Sequence, residues 1–415
     1  MDHWRRWRWT ILALALALFG TTGLYQTRGW IWLGVPPIGA QRPPFSDAAA
    51  QLVAGDVCAS GAGQWISGAC FLPSIDAETH SQTYEPWLSF QRRGLTASLY
   101  VPVAFALIGL FYFAFCLAFR PIGVGEAALL LVLLFSAAVQ LAVERANFDL
   151  LTSALLCLAA WCLADRRPAM AAAGCLALGF STSLKIYTLL SCAFAWLAVR
   201  ARRLFVALFA IASCAGAVAT IGIDTIRVLG HGAPEGRTRF STGAHWLAHQ
   251  YGWPCAVAAC ALSLVAAVIA WCALRKHPLA LATLYPRRSA LMQIAFLAAV
   301  PLFLLKDSYD YRFVLWLPCL ALPMALLRQR ELATPWRAFC IGLFALAIFV
   351  FCAELPCAWL DRLPWRDSAW SRHLIEAIVL AKQFATWLLA GLLGVLFASS
   401  IAPTRWIGQP IAQRS

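Results

Sequence analysis

The chain has 415 residues, of which 61% are hydrophobic and only 13% are charged, and its formal net charge is +14. Soluble domains are typically about 45–50% apolar and about 25% charged. This composition excludes a soluble globular domain, a disordered chain and a collagen. It predicts an all-α polytopic membrane protein, and its 19 tryptophans fit the aromatic belts of membrane interfaces.

Apolar runs that suit transmembrane helices recur along the whole chain. A helix needs about 20 mostly apolar residues to cross the hydrocarbon core. We predict about 12 such helices in a single membrane domain formed by residues 1–415. The predicted spans are 10–25, 98–119, 125–142, 149–164, 168–182, 186–199, 204–222, 251–274, 289–305, 313–327, 338–353 and 378–400.

The first span follows the basic stretch Arg5-Arg6-Trp7-Arg8 and resembles a signal peptide. No small-x-small cleavage site follows it, so we expect an uncleaved anchor helix.

The apolar stretch 168–199 allows two interpretations. As one helix, it would be about 48 Å long. Basic clusters at both ends favour placing both ends on the cytoplasmic side. We therefore predict a helical hairpin with Lys185 near its tip, and the alternative is one long tilted helix.

Positive charge is concentrated on one side of this topology. The inner stretches hold 18 Lys and Arg residues against four acids, whereas the outer side holds 15 of each. This bias predicts that the inner stretches lie in the cytoplasm, with both termini inside; the resemblance described below implies that the membrane is the inner membrane of a bacterium. The net basicity reflects topology, and we predict no nucleic-acid partner.

Most polar material lies on the outer side. Three long periplasmic elements are predicted at 26–97, 223–250 and 354–377, and the first is a large loop. The outer side holds 15 of the 19 acids. We therefore expect a functional site at the outer membrane boundary.

Most of the 15 cysteines lie in predicted helices, where they act as small apolar residues. Cys58 and Cys70 share the first outer loop and either form a disulfide or stay as free thiols. Cys352 and Cys357 are a weaker second pair. No Cys/His spacing is typical of a zinc site, so we predict no metal and no cofactor.

Asp47 is the first candidate functional residue, in the first outer loop. Ser46 is suited to cap a short helix that ends before Gly55, with Asp47 in its first turn. The helix dipole alone favours an acid there, so Asp47 is either structural or catalytic.

The second candidate is a polar connection formed by Glu144, Arg145, Asn147 and Asp149. It separates two apolar spans and contains neither Gly nor Pro. The structural alternatives are a surface loop or an Arg145–Asp149 pair at i,i+4. Without such a structural role, ionisable residues at a membrane edge are candidates for a functional site.

Two further groups lie near predicted outer helix ends. Lys185 is the only charge within the stretch 168–199, and the alternative to a functional role is snorkelling to the interface. Asp310-Tyr311-Arg312 opens a helix that Pro318 should kink or loosen, and the alternative is a charged outer loop.

The order of these motifs resembles that of a known protein family. Glu144-Arg145-Ala146-Asn147-Phe148-Asp149 resembles the E-R-[GA]-N-[FI]-D stretch of bacterial membrane glycosyltransferases of family 87. Leu184-Lys185-Ile186-Tyr187 is similar to their L-K-[LI]-Y-P segment, and Asp310-Tyr311-Arg312 to their D-Y-R stretch. Asp47 with the following Ala-rich turn resembles their early D…A-A…G pattern, and the order matches from about residue 45 to 330. Thr188 stands where the family usually has proline.

The resemblance implies a polytopic glycosyltransferase of the C superfamily. Such enzymes move a sugar from a polyprenyl-phosphate donor to a lipid or glycan acceptor at the periplasmic face. Asp47 matches the position of their catalytic base. The implied substrate-binding residues are Glu144, Arg145, Asn147, Asp149, Lys185, Tyr187, Asp310, Tyr311 and Arg312.

The chemistry of the residues agrees with this expectation. Cleavage of the donor leaves an anionic lipid phosphate, which fixed cations stabilise. Arg145, Lys185 and Arg312 could serve, because arginine suits bidentate phosphate contacts and lysine acts as a point charge. A carboxylate would take the proton of the acceptor hydroxyl. Asp47 is the first choice, and the acids of the other clusters are alternatives or orienting groups.

Two other functions remain open. A transporter or flippase for a lipid-linked sugar would bind near the midplane between internal repeats, but the sequence shows no convincing repeat. A non-catalytic assembly protein or a degenerate glycosyltransferase is the third possibility. It would not need Asp47, Arg145, Lys185 and Arg312 to converge on one cavity.

Overall fold

The computed structural model describes residues 2–27, 64–66, 69–71, 100–165, 167–193, 195, 211–212, 215, 241–305, 308–360 and 368–401. This part of the chain is almost entirely helical, which confirms an all-α membrane protein. Fifteen α-helices are described. They are α1 (Asp2–Thr27), α2 (Tyr100–Phe119), α3 (Val124–Leu134), α4 (Ala137–Arg145), α5 (Asp149–Leu163), α6 (Pro168–Leu184), α7 (Leu189–Ala193), α8 (Ala244–Tyr251), α9 (Trp253–Leu274), α10 (Leu281–Leu284), α11 (Pro286–Leu305), α12 (Ala321–Leu327), α13 (Thr334–Cys352), α14 (Glu354–Leu360) and α15 (Ala369–Ile401).

Short irregular elements join these helices. Three segments are 3₁₀ helices: Ile186–Thr188, Asp310–Leu315 and Leu317–Leu320. Two antiparallel strand pairs are present, β1 (Gln64–Ile66) with β2 (Ala69–Phe71) and β3 (Ser241–Thr242) with β4 (Ser308–Tyr309).

Five of the described helical segments are long and apolar enough to cross a membrane. They are Trp7–Thr27, Val101–Phe119, Trp253–Leu274, Thr334–Leu360 and Ala369–Ile401, and the bent pair α3–α4 would make a sixth. The count of about 12 spans stays a prediction, because span 204–222 and residues 196–199 lie almost wholly outside the described residues.

The span predicted at 125–142 is not one straight helix. The chain bends by 58° between α3 and α4. A bend leaves backbone carbonyls without their helical donors, and buried carbonyls need other donors. Gln140 Nε2 donates to Leu134 O at 2.7 Å, and Ser136 Oγ donates to Leu133 O at 2.6 Å. These two side chains satisfy backbone carbonyls at the bend. All nine residues of α4 are buried.

The stretch 168–199 is also broken. Lys185 has extended backbone angles (φ −148°, ψ 109°) and ends α6, so the alternative of a single long helix is wrong. The turn is held by Thr188, whose N–H and Oγ1 donate to Lys185 O at 3.1 and 3.0 Å. Proline could make neither bond, so threonine at this position builds the turn by its own contacts.

The segment predicted as span 313–327 is loosened around Pro318, as expected. It consists of two 3₁₀ segments followed by the seven-residue helix α12. Proline lacks the N–H of an α-helical ladder, which accounts for the local 3₁₀ geometry.

The helices pack in two groups joined by α11. Helix α5 contacts α2, α6 and α11, whereas α15 contacts α9, α11 and α13. Buried hydrogen bonds also link α1, α2 and α4. Thr21 Oγ1 and Tyr112 Oη share a hydrogen bond of 2.7 Å, and Gln140 Nε2 donates to Tyr112 Oη at 3.3 Å.

One predicted cysteine pair is wrong, and the predicted outer elements are described only in part. Much of the periplasmic element predicted at 354–377 is helix, because α14 starts at Glu354 and α15 at Ala369, with only 361–367 outside the described residues. Cys352 and Cys357 are not joined by a disulfide bond. Of the elements at 26–97 and 223–250, the structure describes mainly β1, β2 and α8, and Cys58 lies outside the described residues.

The contact between α9 and α15 offers a stability prediction. Ser263 Oγ donates to Trp387 O at 2.6 Å, and a Cβ added at Gly391 would lie 2.8 Å from Ser263 O and closer still to its Oγ. We expect Gly391→Ala to lower the free energy of unfolding by about 1–3 kcal/mol, because the two helices must separate. Thermal unfolding in detergent measures the change.

Gly342→Ala is the matched control, because nothing lies within 4 Å of a Cβ added at Gly342. This variant should be neutral or slightly stabilising, since alanine favours helix over glycine by about 0.5–1 kcal/mol. Equal unfolding temperatures for both variants would contradict the close helix approach.

Candidate functional site

The candidate site begins at the end of α4. Ala146 takes the left-handed conformation (φ 46°, ψ 49°), which is usually occupied by glycine. The N–H groups of Ala146 and Asn147 donate to Val143 O and Ala142 O, both at 3.0 Å, and these bonds form a Schellman motif. The turn thus directs the chain from Arg145 into α5 without a long loop.

Asn147 organises the start of α5. Its Oδ1 accepts the Asp149 N–H at 2.8 Å, and its carbonyl accepts the Leu150 N–H at 3.0 Å. Asp149 is therefore fixed as the first residue of the helix, where the helix dipole favours a carboxylate. Its side chain is only 1% exposed.

Side chains from two other sequence motifs reach Asp149. Tyr187 Oη donates a hydrogen bond to Asp149 Oδ1. Arg312 Nε lies 3.8 Å from Asp149 Oδ2 and forms an ion pair with it. We call Asp149, Tyr187 and Arg312 the Asp149 cluster. It joins three polar motifs that are far apart in the chain.

Packing fixes the elements that carry this cluster. Ser153 Oγ, on α5, donates to Val314 O at 2.7 Å and ties the segment Asp310–Leu315 to that helix. The same segment also packs against α4. The kink and the turn therefore place the last residues of α4 beside the segment that carries Arg312.

Charge at this end of the bundle is largely buried. Glu144 and Arg145 are each 8% exposed, whereas the side chain of Arg312 is 22% exposed. Glu144 Oε2 and Asp149 Oδ2 are buried and accept no hydrogen bond from the described residues. Buried acceptor oxygens of this kind normally find donors.

The structure brings together only part of the predicted set. Asn147, Asp149, Tyr187 and Arg312 are connected by the contacts above. Lys185 is half-buried and lies in the same turn as Tyr187. The side chains of Asp310 and Tyr311, and the whole of Asp47, lie outside the described residues.

Sequence reasoning missed a second buried ion pair. Lys382 Nζ lies 2.6 Å from Glu354 Oε1, and the two side chains are 0% and 6% exposed. The available signal was a lysine within the apolar run 378–400, because such residues are usually paired or functional. Among the described residues, no group of three or more His, Cys, Asp and Glu residues could hold a metal ion.

Comparison with family models, with curated proteins and with solved structures yielded no match to this chain. The candidate site is therefore defined by its own geometry. In the Asp149 cluster, a buried carboxylate accepts a hydrogen bond from a tyrosine hydroxyl and forms an ion pair with a partly exposed arginine, at one end of a helical membrane domain.

Proposed function

We propose that the protein is a membrane glycosyltransferase that moves a sugar from a polyprenyl-phosphate donor to a lipid or glycan acceptor at the periplasmic face. The observation that supports this proposal most is the convergence of three polar motifs on Asp149. A purely structural loop would have no need to bury two acids and an arginine at the same helix junction.

The cations account for binding of the donor phosphate. Arg312 is held by Asp149 yet remains partly exposed, so its guanidinium can face a phosphate at the membrane boundary. Arg145 and Lys185 are carried by the neighbouring turns and would add positive charge. Such preorganised cations stabilise the charge that develops on the leaving phosphate.

The acids divide into two roles. Both oxygens of Asp149 face Tyr187 or Arg312, so its carboxylate positions those side chains and does not serve as the base. We assign the base to Asp47, with Glu144 and Asp310 as alternatives. The unpaired Oε2 of Glu144 suits a hydrogen bond from a sugar hydroxyl.

The proposal is tested with the purified wild-type protein in liposomes. A panel of short-chain polyprenyl-phosphate sugars is supplied with an extract of bacterial envelope lipids and glycans as acceptor. We expect release of polyprenyl phosphate together with labelled acceptor. Failure of every donor to release lipid phosphate, in a protein that remains folded, would overturn the proposal.

Asp149→Asn tests the positioning role. Arg312 then loses its negative partner, while the new side chain can still accept the Tyr187 hydrogen bond. Asparagine also removes the charge that strengthens the Tyr187 hydrogen bond. Hydrogen bonds to charged groups contribute about 1.5–3 kcal/mol, so we expect donor kcat/KM to fall about 10- to 100-fold. The KM for the acceptor should not change.

The control is Asp165→Asn, which follows the other end of α5. Asp165 is partly exposed and lies 4.0 Å from Arg167 Nε and 3.9 Å from Arg287 Nη2. Exposed pairs of this kind contribute little, so activity should stay within about twofold of wild type. Equal losses in both variants would argue against a specific role for Asp149.

One observation favours a second function, a flippase for a lipid-linked sugar. The bent pair α3–α4 is a broken helix inside the bundle, and broken helices are common at transporter binding sites. Movement of an intact donor across the liposome bilayer, without release of its phosphate, would support this alternative.

A further inference from the structure

A second polar cluster lies at the end of the bundle opposite Asp149. Helix α2 ends at Phe119, and Arg120 follows in the left-handed conformation (φ 43°) with its N–H donating to Cys116 O at 2.8 Å. Arg288 Nη2 and Arg328 Nη2 both donate to Phe119 O at 3.1 Å. Two guanidinium groups thus converge on one carbonyl oxygen at the end of α2.

Among the residues that the structure describes, Glu126 is the one carboxylate paired with these cations. Arg328 Nε and Nη2 donate to Glu126 Oε1 and Oε2 at 2.8 and 2.7 Å. Arg120 places its guanidinium 4.4 Å from the ring centre of Trp7, and it forms no ion pair with any described residue. We call Arg120, Glu126, Arg288 and Arg328 the Glu126 cluster. It carries three positive charges against one negative charge.

Burial first, and neighbouring positive charge second, disfavour the charged form of Arg288. Burial lowers the pKa of Arg288 to about 10, and the nearby positive charges of Arg328 and Arg120 act in the same direction. Glu126 opposes the shift but does not cancel it. An additional anion beside Arg288 would relieve the repulsion among the three guanidinium groups.

Exposed apolar side chains lie beside the cluster. Ile122 and Val124 flank the turn after α2 and are 56% and 63% exposed, although both are apolar. Trp7 is an amphipathic side chain of the type enriched at interfaces. A ligand that combines a phosphate with apolar chains would cover both the charged and the apolar part of this surface.

We propose that the Glu126 cluster binds the phosphate of an anionic membrane phospholipid, with its acyl chains along Ile122 and Val124. Arg120 and Arg288 contact the phosphodiester, while Arg328, occupied by Glu126, holds the turn that presents them. The site is separate from the Asp149 cluster. Arg287, adjacent to Arg288, pairs with Asp165 just after α5, and the 15 residues of α5 extend about 22 Å from there to Asp149. It does not depend on the proposed glycosyltransferase activity.

The test uses the full-length protein in detergent and measures bound lipid by native mass spectrometry. The probes are phosphatidylglycerol, phosphatidylcholine with the same acyl chains, and glycerol 3-phosphate as a headgroup without chains. We expect preferential retention of phosphatidylglycerol. We expect Arg120→Gln to weaken this retention about fivefold, because it removes the electrostatic attraction of one basic residue to an anionic lipid.

Arg275→Gln is the matched control, because Arg275 is exposed at the end of α9 and the variant makes the same charge change. It should retain phosphatidylglycerol as the wild type does. Arg120→Gln should fold, because the Arg120 side chain makes no hydrogen bond with the described residues. Thermal unfolding without added lipid checks this point, and Arg288→Lys provides a second variant that keeps the charge but loses the planar fork.

The outcomes separate clearly. Loss of retention in Arg120→Gln but not in Arg275→Gln supports the site. Equal retention by wild type and Arg120→Gln, or equal loss in both variants, overturns it. Equal binding of phosphatidylcholine overturns the anionic headgroup, and equally tight binding of glycerol 3-phosphate overturns the assignment to a lipid.

Discussion

Replacing Asp47 with asparagine is expected to lower sugar transfer by about 10²- to 10⁴-fold, the contribution that general bases usually make. The amide cannot take the proton of the acceptor hydroxyl. The cations proposed to bind the donor phosphate are unchanged, so kcat should fall while the KM for the donor stays near its wild-type value. Single-turnover transfer in liposomes measures the chemical step directly.

Asp56→Asn is the control for this variant. Asp56 lies in the same predicted outer loop, nine positions after Asp47, and the substitution removes the same charge. It should leave transfer within about twofold of wild type, as substitutions outside a functional site usually do. If Asp47→Asn keeps full activity, Asp47 is not the base, and Glu144 and Asp310 become the next candidates.

The largest effect on stability is expected at Lys382. Its ammonium group is completely buried and contacts Glu354 at 2.6 Å. Lys382→Met leaves the Glu354 carboxylate in the interior without its cation, and breaking a buried pair in this way costs about 3–5 kcal/mol. Thermal unfolding of the purified protein in one detergent compares the variants.

The double variant Lys382→Met/Glu354→Gln tests whether the cost comes from the unpaired charge. Replacing both charges with neutral groups is often close to neutral, so most of the lost stability should return. Lys276→Met removes an exposed lysine and is the control. Additive losses from the two single variants would show that Lys382 and Glu354 are not coupled.

The sequence was a good guide to straight, apolar helices. Hydropathy predicted α2, α9, α11 and α13 within a few residues, because a membrane selects long apolar runs. It also predicted the loosened segment around Pro318, since a missing backbone N–H acts locally. Features that follow from a single residue type or from average hydropathy are readable without a structure.

The breaks and the buried pairs were harder to predict. The bend before α4 depends on Gln140 reaching Leu134 O, and neither residue is a helix breaker by type. The predicted outer element 354–377 began at Glu354, yet this acid pairs with Lys382 inside the bundle. Such pairings depend on contacts between distant segments of the chain. A local sequence pattern does not predict these contacts.

The candidate site was predicted in part. The residues that meet at Asp149 were singled out as polar groups near helix ends, and the resemblance grouped them in advance. Their mutual contacts were not predictable, because they depend on the Schellman turn at Ala146 and on the break at Lys185. The role of Asp47 stays a prediction.

The short helices around the Asp149 cluster bear on how the chain enters the bilayer. Helix α4 has nine residues and α5 has 15, which correspond to about 14 and 22 Å, so neither alone spans a hydrocarbon core of about 30 Å. Neither is stable as an independent inserted segment, since α4 carries Glu144 and Arg145 and α5 begins with Asp149. We therefore expect α4 and α5 to enter the bilayer together with α3, as one cooperative unit formed by residues 124–163.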